Sequence, residues 1–107
     1  MQITRYRGDI YADEILISKS GEVIDLTGCT VVMTLNSVRN PVDITTQIYQ
    51  LTGVINISTG VVSFSPNSVQ ADRVGLFYYD IQITDSQSNK ITVMKDVYVY
   101  EQDITKN

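Results

Sequence analysis

The chain has no histidine, no tryptophan, one cysteine and two prolines. Without histidine, the side chain that most often serves as a general base near neutral pH is missing. A single cysteine, Cys29, excludes an internal disulfide, and one cysteine without histidine excludes the usual zinc spacings. No glycine-rich loop of the phosphate-binding type occurs, and no apolar run approaches the length of a bilayer span. The first residues, MQITRYRGD, lack the apolar centre of a secretion signal, so folding in the cytosol is expected. Basic side chains are outnumbered 8 to 12, giving a net charge of −4. That argues against nucleic-acid binding, which draws its affinity from phosphate neutralisation.

What is present reads as β structure. Val, Ile, Thr and Tyr recur in short alternating runs separated by turn clusters, which suggests an all-β sandwich or barrel of about seven to eight antiparallel strands in one domain spanning residues 1–107. Strands are expected at Gln2 to Tyr6 and Ile10 to Ser18, followed by a turn over SKSGE, residues 18–22. A further strand covers residues 29–36, with Cys29, Val31, Met33 and Leu35 facing the core. Pro41 interrupts the pattern, and residues 44–51 read as an edge strand or an ordered loop. Two short strands flank a turn at Thr59-Gly60, with Ile55, Ile57, Val62 and Phe64 turned inward. Asn67 or Ser68 is placed to cap one helical turn before Gly75. GLFYYDIQITD buries Phe77, Tyr79, Ile81 and Ile83 and presents Tyr78, Asp80, Gln82 and Thr84 outward.

The last strand, KITVMKDVYVYE, has two readings. One turns Met94, Asp96, Tyr98 and Tyr100 inward; the other turns Val93, Val97 and Val99 inward. A one-residue slip exchanges the faces. Burying Asp96 unpaired would cost on the order of 2–7 kcal/mol even as a neutral group. A bulge near Lys95 or Asp96 would reconcile the two.

The remaining signals are weak. Asp9, Asp13, Glu14, Asp80, Asp85, Asp96 and Asp103 show no ion-loop spacing and read as solvated surface, so no metal or cofactor is expected. Asn56-Ile57-Ser58 matches a glycosylation sequon, a pattern that arises often by chance. Seven tyrosines are a real feature. Tyr78 is expected outward, and Tyr11 and Tyr49 at the surface, where tyrosine covers area at low entropy cost.

Five motifs, taken in order, resemble the immunoglobulin-like domain of bacteriophage virion proteins, as in the N-terminal domain of the phage baseplate upper protein. They are Arg7-Gly8-Asp9; Asp25-Leu26-Thr27-Gly28 with Val31; Thr59-Gly60 with Val62 and Phe64; Gly75 with Phe77 and Tyr79-Asp80-Ile81-Gln82; and Asp103-Ile104-Thr105. Phe77 stands where that family more often has Tyr, and Asp96 where it has a small residue.

The resemblance implies an immunoglobulin-like sandwich and a non-enzymatic structural role in the virion, made in a bacterial cytoplasm. Its partners would be other capsid or tail subunits in many copies, with no nucleic acid, membrane, substrate or catalytic residue involved. A capsid cement or decoration protein is expected, because the chain stops after one domain; a tail or baseplate adaptor is the alternative. Contacts are expected from an exposed sheet edge, residues 37–52 and the chain ends, with Ile3, Arg5, Tyr11, Arg39, Ile48, Tyr49 and Tyr78 as interface residues. Arg7-Gly8-Asp9 then reads as a turn between strands, not as an adhesion ligand. A different class, a carbohydrate-binding module, would line a groove with Tyr11, Tyr49 and Tyr78. A hydrolase would need two carboxylates roughly 5–10 Å apart in a cleft.

Overall fold

Alternating residues become strands when one face can be buried and the other wetted. The computed structural model describes residues 1–19 and 21–102. Its strands are β1 (Ile3–Tyr6), β2 (Asp13–Leu16), β3 (Ser18–Lys19), β4 (Glu22–Val23), β5 (Thr30–Asn36), β6 (Gln47–Thr52), β7 (Val54–Asn56), β8 (Val61–Phe64), β9 (Gly75–Thr84) and β10 (Lys90–Glu101). A five-stranded sheet runs β1-β10-β9-β5-β6, a three-stranded sheet runs β2-β8-β7, and β3-β4 is a separate hairpin. No helix occurs among the described residues.

The all-β expectation holds, and the eight strands of the two main sheets match the expected number. The arrangement is not purely antiparallel: β1 pairs with β10 in parallel, so the large sheet is mixed. The second strand is shorter than expected, since only Asp13–Leu16 pairs with β8. Part of the expected turn over 18–22 is the β3-β4 pairing, with Ser20 outside the described residues. Asp103, Ile104 and Thr105 also lie outside them.

The core joins both sheets. Val31, Met33 and Leu35 of β5, Tyr79, Ile81 and Ile83 of β9, and Tyr98 and Tyr100 of β10 cluster with Ile15, Val62 and Phe64. Cys29 is half-buried against them. Ile57 departs from expectation: β7 ends at Asn56, and Ile57 turns out to solvent.

β6 continues into β7 through Gly53, where the chain passes from the large sheet to the small one. A Cβ at Gly53 would stand 2.2 Å from Val62 Cγ1 and 2.9 Å from Phe64 Cε1. Only glycine lets the corner close on the core at this point.

The last strand resolves through a bulge. Lys90 to Thr92 pair with Thr84 to Gln82; the register then shifts, and Met94 pairs with Ile81. The extra residue is Val93, slightly earlier than the expected position. Beyond it Lys95 faces Asp80 and Tyr98 faces Phe77. Tyr98 and Tyr100 are therefore buried, and Val97 and Val99 look outward. Asp96 avoids an unpaired burial. It stays partly exposed, pairs with the Met1 ammonium, and accepts the Val97 N–H at 2.8 Å. These contacts, the ammonium first, hold its carboxyl below the usual range.

Asp13 corrects the surface reading of the carboxylates, because it is 1% exposed. The Tyr98 hydroxyl donates to Asp13 Oδ2 at 2.5 Å. The Arg5 guanidinium meets Oδ1 as a charge contact rather than a well-angled hydrogen bond. Nearby, the Tyr49 and Tyr100 hydroxyls lie 2.9 Å apart. Burial raises the ionisation of Tyr49 and Tyr98 far above the ordinary tyrosine value, so both stay neutral.

Three substitutions test these contacts through stability. Gly53→Ala should lower the urea midpoint by an amount worth at least roughly 1–3 kcal/mol, the range for overpacking; an unchanged midpoint would contradict the corner. Tyr98→Phe should cost about 1–3 kcal/mol by leaving a buried acceptor without its donor. Asp13→Ala should cost about 3–5 kcal/mol, because it strands the Arg5 charge. Equilibrium unfolding reads both, and the reverse order would disprove the cross-sheet contact.

Candidate functional site

The outward face of the large sheet is built from cross-strand rows. Leu76, Val99 and Thr4 form one row; Asn36, Tyr78 and Val97 form the next; Thr34, Asp80 and Lys95 the third; Val32, Gln82 and Thr92 the fourth. The face is graded. One end is largely apolar, with exposed Leu76 and Tyr6 beside half-buried Tyr78, Val97 and Val99, and is bounded by the exposed Glu101 opposite Tyr6. The middle carries the Asp80–Lys95 couple, and the far end is mostly polar: Gln82 Nε2 donates to Thr92 Oγ1 at 3.3 Å, and Thr84 faces the exposed Lys90.

The segment after β5 folds over this face. Asn36 begins it by accepting the Val38 N–H on its side-chain oxygen at 2.9 Å. Asp43 holds its later turn by accepting the Thr45 hydroxyl at 2.5 Å and the Thr45 N–H at 2.9 Å. Those bonds, the hydroxyl first, keep the Asp43 carboxyl below its ordinary range. Lys95 Nζ donates to Asn40 Oδ1 at 2.8 Å and ties the segment to the sheet. The resulting groove is lined by Val38, Arg39, Pro41, Tyr78, Asp80 and Lys95. Partial burial lifts the Asp80 carboxyl above its ordinary value, and the neighbouring Lys95 charge opposes that shift. The arrangement offers an aromatic ring, two cations, one carboxylate and an apolar margin, a set suited to recognition by shape and charge.

The expected interface residues separate. Arg39 and Tyr78 come together in this groove. Tyr11 is exposed elsewhere, beneath the Arg5 guanidinium at 5.0 Å from its ring centre. Arg5 is only partly exposed and is engaged with Asp13. Ile48 is half-buried against the core. Ile3 and Tyr49 are buried, which corrects their placement at the surface: both share the inward row of their strand. With Tyr49 inside, Tyr11, Tyr49 and Tyr78 do not line a common sugar groove. Lys95, Asn40, Leu76 and Tyr6 belong to the face without standing out in the sequence. The one sequence signal for Lys95 is its pairing with Asp80 in the register that turns Tyr98 and Tyr100 inward.

Arg7-Gly8-Asp9 is an anchored turn. Asp9 N–H donates to Tyr6 O at 3.1 Å, Gly8 N–H to Ala71 O at 2.9 Å, and Arg7 N–H to Glu101 O at 2.7 Å. Gly8 has φ +85, a conformation that favours glycine. Arg7 Nε also donates to Asp72 Oδ1 at 2.7 Å. Ala71 is held in turn by reciprocal bonds: Gln70 N–H to Asn67 Oδ1 at 2.8 Å, and Asn67 N–H to Gln70 Oε1 at 2.9 Å. The capping expected of Asn67 is thus present.

Searches against protein-family models and against curated proteins found no match.

The raised Asp80 carboxyl has a signed consequence. The folded chain keeps this proton at pH values where the unfolded chain has lost it. The contribution of Asp80 to stability is therefore fully present below the ordinary carboxyl value of 3.8 and is lost as pH rises through the folded value. Asp80→Asn should gain thermal stability over the parent at pH 7 and lose that advantage near pH 3. Parallel melting curves across that range would refute it.

Proposed function

We propose that the chain is an immunoglobulin-like, non-enzymatic structural protein of a bacteriophage particle, a cement or decoration protein that binds neighbouring capsid subunits. The strand order supports the fold. On this reading β5, β9 and β10 would be strands C, F and G of an immunoglobulin domain, with β6 as the added strand beside C. β2, β8 and β7 would then be B, E and D of the facing sheet. Antibody domains add a disulfide and a buried Trp; here a tyrosine cluster fills the centre, with the Tyr98 ring in contact with both Tyr79 and Tyr100.

The observation that carries the contact role is the graded outer face. An apolar strip of Tyr6, Leu76, Tyr78, Val97 and Val99, bounded by Arg39, Lys95 and Glu101, has the anatomy of a contact patch with a polar rim. Binding there is surface complementarity. An ordinary stable contact buries about 800 Å² per partner, and repetition on a symmetric shell lets each single contact be weaker.

Gold-labelled antibody against this chain, applied to particles purified from host lysate, should decorate the head. Label at the tail tip would transfer the role to the baseplate, and purified particles lacking the chain would sink the proposal. Leu76→Glu should reduce occupancy on the head while leaving the circular dichroism spectrum unchanged.

A further inference from the structure

Charge is distributed unevenly along the chain. The 27 consecutive residues from Ile44 to Gln70 contain none of its 8 basic and 12 acidic side chains. That stretch builds β6, β7 and β8. β6 ends the large sheet, β7 ends the small one, and Gly53 joins them, so both terminal strands lie along one rim. The opposite rim, β1 and β2, carries Arg5, Asp13 and Glu14. Free sheet edges are normally guarded by charge or proline against pairing with another chain. Neither β6 nor β7 holds a charged residue or a proline.

The rim is also apolar at both ends. Val42 is 97% and Ile44 80% exposed before β6; Val54 is 74% and Ile57 60% exposed after it. These positions are spaced about Tyr49. Ile44 lies five residues before it and Val54 five after; Val42 and Ile57 lie seven before and eight after.

We propose that this rim pairs with a second copy of the chain, β6 against β6 in antiparallel fashion about a two-fold axis beside Tyr49. The axis brings Ile44 of one copy to Val54 of the other, with Val42 and Ile57 farther out on either side. A two-fold contact must be complementary to itself, and an uncharged edge with apolar residues on either side, Ile44 and Val54 equidistant from its middle, meets that condition. Charge favours the same partner. Each copy carries −4 overall, so copies repel elsewhere and approach with least penalty where charge is missing. The flanking charges are Arg39, Asp43, Asp72 and Arg73; Asp43 is engaged with Thr45, Asp72 accepts from Arg7 Nε, and the Arg73 guanidinium lies over the Tyr49 and Phe77 rings. Ten residues from Gln47 to Asn56 make a rim about 30 Å long at about 3.3 Å per residue, which places the contact at the smaller end of stable interfaces. The outer face is a different surface, so this pairing stands or falls apart from the virion role.

Sedimentation of the full chain over a concentration series tests it. The parent should show a reversible monomer–dimer equilibrium. Ile44→Lys alone and Val54→Glu alone should each weaken it by roughly tenfold or more, about 1.4 kcal/mol. The double variant sets opposite charges against each other across the axis and should recover most of the parent's affinity. Both positions are exposed, so the monomer fold is expected to survive, and circular dichroism checks this. A parent that stays monomeric at roughly millimolar concentration, where even weak pairs associate, overturns the pairing. So does a dimer indifferent to the single changes, or a double variant no better than the singles.

Discussion

The two sheets are held in one relation by a buried polar contact. Asp13 comes from the small sheet, and Tyr98 and Arg5 come from the large one. Hydrophobic burial would press the sheets together in several sliding arrangements, because it is non-directional. A carboxylate that must find a hydroxyl and a guanidinium admits few. Such a contact adds little net stability over an apolar replacement, since desolvation consumes most of the attraction. We read its role as alignment: it sets β2 across from β1 and β10, and every other inward residue packs within that frame.

Two backbone features convert the frame into surfaces. The bulge at Val93 lets β10 turn Tyr98 and Tyr100 into the core while Lys95, Val97 and Val99 meet the outer face. Gly53 lets one continuous run leave the large sheet and enter the small one without displacing Val62 or Phe64. The first feature creates the graded face with its Asp80–Lys95 centre. The second places two free strand edges on one rim. A small sandwich thereby acquires two distinct surfaces, one mixed in charge and one rim without charge.

Much of the fold was legible in advance because burial on one face of a strand imposes a period of two. Val31, Met33 and Leu35 showed it on β5, and Tyr79, Ile81 and Ile83 on β9. The turn at Arg7-Gly8-Asp9 was legible because glycine permits a backbone that other residues avoid. The misses share a cause. Asp13 and Tyr49 were assigned to the surface from residue type, yet each finds its partner far along the chain: Asp13 meets Tyr98, and Tyr49 meets Tyr100. Ile57 follows the alternation of its strand on paper but lies just past its end. The outer face was only half visible, because Arg39 and Tyr78 meet Lys95 through a loop that folds back over the sheet.

The sequence by itself determined the class of structure, most inward positions and the places where the chain turns. Those depend on contacts within a few residues, where periodicity and backbone preference are decisive. Tertiary structure alone decided the register of the last strand, the burial of Asp13 and the grouping of surface residues. These depend on which distant polar groups become neighbours, and a buried charge is tolerable only when its partner arrives from another strand.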